Sequence, residues 1–498
     1  MSGPRPAYLP NPLDPHLKDS LQHAFAAASP RLAPPPTPGR SVLIHGGVLL
    51  LWIGLFSMAF MAGGVWSWSV GMAYVAYDTA LLLFTAWATL PILRAKTRLA
   101  MPAPPCTVGV IVASHNEAAV LPVTLGALLA QTDAPDQIVI ADDGSTDGTA
   151  ELLQTRYGLI APALGEISPA SALYPSLQWL RLPHGGKARA LNAAMLCIRT
   201  DTVLTVDGDT LLDDKAIAAV RRAFSEEPSL VAATGVITPV CSRSLGGRCF
   251  QWFQTYEYIR NFLSRYAWMR LNGLLLVSGA FAGFRLDAVR AVGGFDPECL
   301  VEDYELIHRL HRYAQAHGLP WRVRVLGDAQ AHTDAPSSVA AFLRQRRRWF
   351  GGFLQTQYLY RAMVGDRRYG WLGTLMLPVK AIDTLQPLYG LAAFFLLLVY
   401  LVRGDLGVLA PVAGVIGAKI LLDLAFHLWS VFLYRRWIGK HGEAGLFQAV
   451  MAALVEPFSF QILRHTGAAM GWWVFLTGNR SWGRQSRAGL RARDEDGR

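Results

Sequence analysis

Charge is scarce in this chain. Only 16% of its 498 residues are Asp, Glu, Lys or Arg, against 52% hydrophobic ones, too few for the surface of an ordinary soluble enzyme. None falls between Arg40 and Asp78, a gap longer than one hydrocarbon thickness of helix. The gap predicts one membrane-spanning helix near 42–64 and the start of a second near 70–93. No small-residue cleavage pattern follows the first run, and polar, proline-rich sequence precedes it, which argues against a cleaved secretory signal. That leading stretch, with Pro34-Pro35-Pro36 and Pro38, has little apolar surface to offset its chain entropy, so residues 1–40 are expected to be a disordered cytosolic segment.

Cysteine is scarce too. Cys106, Cys197, Cys241, Cys249 and Cys299 show neither CxxC spacing nor histidines at zinc-site distances, which excludes a disulfide framework or thiolate metal site and reads as reduced, buried small hydrophobes. Internal repeats are absent. The net charge of +10 does not mark a nucleic-acid partner. Its arginines (Arg94, Arg346 to Arg348, Arg435, Arg436, Arg480, Arg484, Arg487) flank apolar segments, as the positive-inside rule describes. The implied partner of this charge is membrane lipid.

What is present divides the chain. Residues 41–95 read as two transmembrane helices, 103–335 as a soluble α/β domain, 336–370 as amphipathic interfacial helices, 371–478 as a second membrane region and 479–498 as a basic cytosolic tail. Within 336–370, Phe342, Trp349, Phe350 and Phe353 are expected to dip into the acyl boundary. Apolar runs at 384–402 and 406–434 complete four spans, Arg435 to Lys440 lying inside and Arg403-Gly404-Asp405 outside. Residues 446–478 contain Glu456, Pro457, Arg464 and His465 and read as a re-entrant hairpin, a further pair or an interfacial helix. Lys419 and Asp423 fall on one helix face with His427 a turn on, either a self-neutralised pair or the lining of a polar path; Asp78 is equally open.

In the α/β domain, apolar runs at Val108–Ala113, Gln137–Ala141, Leu177–Leu182 and Val203–Val206 alternate with helical patterns at 119–131, 147–157, 187–198 and 213–226. Such alternation predicts a mostly parallel, Rossmann-like sheet covered by helices. Ligands of open sheets sit off the carboxyl ends of the strands, where Asn116 and Glu117, Asp142 and Asp143, and Asp207 and Asp209 fall. Asp207-Gly208-Asp209 offers two hard oxygen donors suited to Mg²⁺ or Mn²⁺, or a tight turn. Asp142 and Asp143 can accept from a base and ribose, Asp147 caps the next helix, and Gly185-Gly186-Lys187 sets a lysine at a helix start that attracts phosphate.

The series Ser114-His115-Asn116-Glu117, Asp142-Asp143-Gly144-Ser145, Gly186-Lys187, Asp207-Gly208-Asp209, Val301-Glu302-Asp303 and Gln345-Arg346-Arg347-Arg348-Trp349 resembles the family-two, GT-A-fold inverting glycosyltransferases over residues 40–480. The resemblance is to their membrane-embedded processive branch of cellulose, chitin and hyaluronan synthases, and the layout is nearest to bacterial poly-β-1,6-N-acetylglucosamine synthases. It implies a GT-A domain inserted between transmembrane helices, with Asp303 as general base. Asn116, Glu117, Asp142, Asp143, Lys187, Asp207 and Arg348 would hold the nucleotide sugar, and Asp207 and Asp209 the metal. Ser278, Gly279, Ala280, Glu302, Gln345 and Trp349 would meet the acceptor; read without the family, 277–285 could equally be a packed strand. Val301 stands where the family often has Thr.

The implied activity is metal-dependent, inverting transfer of N-acetylglucosamine or glucose from a UDP-sugar to a growing β-linked saccharide. It would be processive, coupled to export and placed at a bacterial inner membrane, with a small accessory membrane subunit among its candidate partners. The rivals are one addition to a lipid-linked acceptor and a silent nucleotide-sugar-binding membrane protein.

Overall fold

The computed structural model describes residues 15–94, 105–439 and 446–478. The tail 479–498, residues 1–14 and Lys440 lie outside the described residues. Eight strands form one sheet: β1 (Val108–Ser114), β2 (Gln137–Asp143), β3 (Leu177–Leu182), β4 (Thr202–Asp207), β5 (Thr210–Leu212), β6 (Leu230–Val240), β7 (Phe281–Arg285) and β8 (Arg322–Asp334). Their order is β3-β2-β1-β4-β7-β6-β8-β5. The first four pair in parallel, as their near-continuous Val, Ile and Leu content requires of strands covered on both faces. The β7 strand runs antiparallel to β4 and β6, and β5 antiparallel to β8. Register sets the rim of the site: Ala113 lies opposite both Ala141 and Asp207, and Ser114 opposite Asp142.

Among the described residues, four helices are long and apolar enough to cross a membrane: Gly39–Met61, Gly64–Leu93, Leu372–Arg403 and Leu406–Ile438. Two buried polar groups among them meet backbone carbonyls, as lipid favours: Trp68 Nε1 donates to the Ala393 carbonyl at 2.8 Å and Tyr400 Oη to that of Ala59 at 3.1 Å. Lys419 contacts Asp423 and also reaches Asp78 at 2.6 Å, so the three open charges form one group joining the second and fourth spans.

Three expectations are corrected. Residues 15–28 are not disordered but form the helix Pro15–Ala28, because Leu21 and Phe25 find a place to bury on the α/β domain. Phe342 does not dip into lipid; it is fully buried against Phe250 and Phe460, since its helix, Val339–Leu359, is packed between Leu245–Arg270 and Phe460–Thr477. Cys249 is exposed, unlike buried Cys106, Cys241 and Cys299. The ambiguous 446–478 region is two helices, Leu446–Val455 and Phe460–Thr477, broken at Glu456–Phe458. The second lies along Val339–Leu359 through small residues that let the backbones approach. A Cβ on Gly467 would come within 2.6 Å of Arg346 Cβ, and one on Gly471 within 2.8 Å of the Gly351 nitrogen.

Candidate active site

The strand ends hold their loops through buried carboxylates. Asp142 Oδ1 accepts from Ser145 N at 2.9 Å and Oδ2 from Trp179 Nε1 at 3.3 Å. Asp143 Oδ1 accepts from Gly185 N at 2.7 Å and Oδ2 from Gly186 N at 2.9 Å, which shapes the turn ahead of Lys187. Both carboxylates thus build the rim, each being nearly inaccessible. Asn116, in the left-handed region at φ 55°, accepts from Thr146 N at 2.7 Å and Asp147 N at 3.2 Å. Asp147 bridges Thr149 N (3.0 Å) and Ala118 N (3.1 Å). Glu117 lies buried beneath the Asp207-Gly208-Asp209 turn, so close that a Cβ at Gly208 would meet its Oε2 at 1.5 Å. A side chain at this position would displace the Glu117 carboxylate.

Lys187 is the centre. Its ammonium contacts Asp207, donates to the Gly279 carbonyl at 3.2 Å and lies 3.8 Å from Glu302. Burial alone would lower its pKa, but Asp207, Glu302 and Asp303 outweigh that and hold it above the usual lysine range. Burial pushes the Glu302 carboxyl up, with Lys187 pulling it down. Glu302 and Asp303 open the helix Glu302–Ala316, where backbone N–H groups and the helix dipole favour anions. Asp303 Oδ2 accepts from Gly279 N at 2.7 Å and Oδ1 from Tyr304 N at 2.8 Å. Ala280 closes the ring: its carbonyl accepts from Asp207 N at 3.3 Å. Lys187, Asp207, Gly279, Glu302 and Asp303 come from four separate stretches of sequence, and the fold brings them into one cleft. Ser278 N donates to Thr234 Oγ1 at 3.2 Å. Of Val277–Arg285, only Phe281–Arg285 is strand, which leaves 278–280 as a loop over the cleft.

The rest of the predicted set lies around this group. Arg348 donates to the Leu300 carbonyl at 3.3 Å, just ahead of Glu302. Trp349 is half-buried beneath the Arg346 guanidinium, 4.7 Å from its ring. Arg346 itself forks onto Glu257 with two 2.7 Å bonds, a buried structural pair. The Gln345 Oε1 is buried with no hydrogen-bond partner. Asp209 is almost fully buried, whereas the Asp207 side chain keeps 31% exposure.

Sequence reasoning missed two features. His115 and His184 stack at 4.3 Å between ring centroids over Asp143, forming a group that could hold a cation. Asn116 Oδ1 accepts two N–H bonds, so its Nδ2 is the donor to His115 Nε2 at 3.2 Å, and His115 Nδ1 carries the proton given to the Asp143 carbonyl at 2.8 Å. His184 Nδ1 faces Asp143 Oδ2 at 2.9 Å. Arg265 is the other: Nε and Nη1 are buried without hydrogen-bond partners, and burial pushes its pKa down to about 10, Tyr258 and Asp303 opposing. A lone arginine in a long helix carries no spacing signal, and only the position of His184 before Gly185-Gly186 could have flagged it.

Residues 109–293 match the model described as glycosyl transferase family 2, and residues 202–410 that of glycosyl transferase family group 2. The chain carries a glycosyl transferase family 2 domain. This glycosyltransferase domain is similar to poly-beta-1,6-N-acetyl-D-glucosamine synthases of Staphylococcus aureus (28% identical over 243 residues, 49% of this chain and 53% of the relative) and Staphylococcus epidermidis (26% over the same length and shares). The chain thus spans about half the length of the curated relatives it matches. Among solved structures it resembles a mannosyltransferase from Pyrobaculum calidifontis solved with GDP-Man and Mn²⁺, at TM-score 0.52 and 19% identity, covering 79% of this chain and 99% of that one. That likeness fixes the glycosyltransferase fold as GT-A.

Proposed function

We propose that this chain is an inverting glycosyltransferase that moves a sugar from a UDP-sugar to the end of a growing β-linked saccharide at the bacterial inner membrane, its GT-A domain in the cytosol. The observation that carries the reading is the convergence of Lys187, Asp207, Gly279, Glu302 and Asp303. Asp303 takes the proton of the acceptor hydroxyl as that oxygen attacks the anomeric carbon; the bond to the diphosphate oxygen breaks on the opposite face, inverting the centre. Lys187 and Arg348 supply positive charge to the departing diphosphate. Asn116, Glu117, Asp142 and Asp143 form the nucleoside side, directly or through the loops they hold.

The donor set of Asp207 and Asp209 is oxygen only, with one carboxylate open to the cleft, and it fits a hard divalent cation. Mg²⁺ or Mn²⁺ held there would neutralise the diphosphate and stabilise it as a leaving group. Ser278, Gly279, Ala280, Glu302, Gln345 and Trp349 take the acceptor, the indole offering a face for a sugar ring. The names of the staphylococcal relatives favour N-acetylglucosamine as the sugar and a polymer as product, which on this reading is extended processively and exported.

Protein in lipid nanodiscs supplied with a panel of UDP-sugars tests this, with UDP release and product mass as readouts. UDP-N-acetylglucosamine is expected to give a ladder of chain lengths that stops in chelator and resumes with Mg²⁺ or Mn²⁺. A single addition would sink processivity, full turnover in chelator the metal, and no turnover with any donor the transferase reading itself.

A further inference from the structure

The described residues ahead of the helix Gly39–Met61 are fixed to the loop that delivers the base. Leu21, Phe25 and Ala28 of the helix Pro15–Ala28 are buried. The Phe25 backbone rests on Gly293, at φ 83°, where a Cβ would come within 2.2 Å of Phe25 N. The Phe25 ring lies under the buried Arg309 guanidinium at 4.6 Å, and Arg309 donates to the Val292 carbonyl at 2.7 Å. Arg31 then forks onto fully buried Asp296, Nε to Oδ2 and Nη2 to Oδ1, both 2.8 Å. On its other side the same loop is bracketed by the Lys187 helix: Asn192 donates to the Phe295 carbonyl at 2.8 Å and accepts from its N–H at 2.7 Å. Residues 292–300 are thus clamped between the donor-site helix and the N-terminal strap, and they run directly into Glu302-Asp303. Beyond Arg31 the strap meets the membrane face, with Thr37 Oγ1 accepting from Arg361 Nε at 2.7 Å and Arg40 pairing with Asp366 at 2.7 Å.

We infer that Arg31 and Phe25 are positioning residues for the general base: the strap holds the 292–303 loop so that Asp303 stays seated under the Gly279 N–H and beside Lys187. This rests on the glycosyltransferase reading given above. The bidentate fork on a buried carboxylate fixes direction as well as distance, and base catalysis depends on placement of that order.

The test compares full-length wild type with Arg31→Ala, Arg31→Lys and Phe25→Ala in nanodiscs, by hydrogen exchange and steady-state UDP release. Arg31→Ala is expected to speed exchange over 293–303 about tenfold while 137–143 stays unchanged. Its kcat should fall about 10- to 100-fold with the donor KM within about twofold of wild type. Arg31→Lys, which keeps the charge and loses the fork, should fall between; if Arg31→Ala does not accumulate folded, Arg31→Lys and Phe25→Ala supply the same readings. Unchanged exchange over 293–303, or a donor KM rising in step with the loss of kcat, overturns the strap. A wild type that releases no UDP from any donor overturns the transferase reading instead, and the exchange comparison then decides the strap alone.

Discussion

Asp303 is a carboxylate whose two oxygens are each fixed by a backbone N–H, from Gly279 and from Tyr304. Asp303→Asn keeps the shape and removes the basicity, so kcat should drop about 10²- to 10⁴-fold with little change in donor KM, read in a UDP-release assay; loss of donor binding instead would reassign Asp303 to positioning. Lys187 makes a different pH statement. Its folded pKa lies above the ordinary 10.5, so the stability its contacts contribute is fully present below 10.5 and is lost only as pH rises through the higher folded value. Lys187→Arg should therefore leave the basic limb of the rate profile where it is while raising donor KM; a limb that moves with this substitution would make Lys187 the titrating group. Gly-Gly-Lys and Asp-Gly-Asp were readable because each places charge at a strand end or helix start, positions that local sequence defines, whereas Glu302-Asp303 was reached through the family resemblance alone. His184, Arg265 and Glu257 were not, because their meaning lies in partners distant along the chain, such as Asp143 for His184 and Arg346 for Glu257.

At the scale of elements, the period-based reading recovers β1 to β4 and their helices, with starts off by at most a few residues (213 against Ala216). Those strands are short, apolar and set apart by turns. In the second half of the sheet β7 falls within the 277–285 segment that could be a packed strand, while β5, β6 and β8 escape the same reading. The β6 strand carries Gly235 and Pro239, β8 carries Gly327 and Asp328 with a register shift in their pairing, and β5 has three residues, so neither alternation nor apolar run persists. Helix packing near the membrane face was hidden likewise, because it depends on glycines rather than on hydrophobic stripes. Gly471→Ala would press a Cβ on the Gly351 backbone at 2.8 Å and should destabilise by about 1–3 kcal/mol, the usual range for overpacking. Gly126→Ala, exposed in the helix Leu121–Leu129 with nothing within 4 Å, should instead stabilise by about 0.5–1 kcal/mol through helix propensity. Thermal unfolding in one detergent separates the two; a neutral Gly471→Ala would show that Phe460–Thr477 can shift away from Val339–Leu359.

For the whole molecule, ion pairs tie the α/β domain to the apolar helices. Arg346 of the helix bearing Gln345 and Trp349 is locked to Glu257, Arg260 pairs with Glu456 between the last two apolar helices, and the strap joins the first span to the loop before Asp303. The orientation proposed above puts the cleft on the side that charge favours: Arg435 and Arg436 end the helix Leu406–Ile438 at the domain end, while the short Arg403-Gly404-Asp405 link lies at the other. The cysteines make this measurable, because Cys249 is exposed on the domain while Cys106, Cys241 and Cys299 are buried and Cys197 is half-buried. In intact spheroplasts an impermeant maleimide should label Arg403→Cys and leave Cys249 untouched, and inverted vesicles should show the reverse. Labelling of Cys249 from outside would put the cleft where the cell supplies no nucleotide sugar, and the proposed donor use and outward export would fail together.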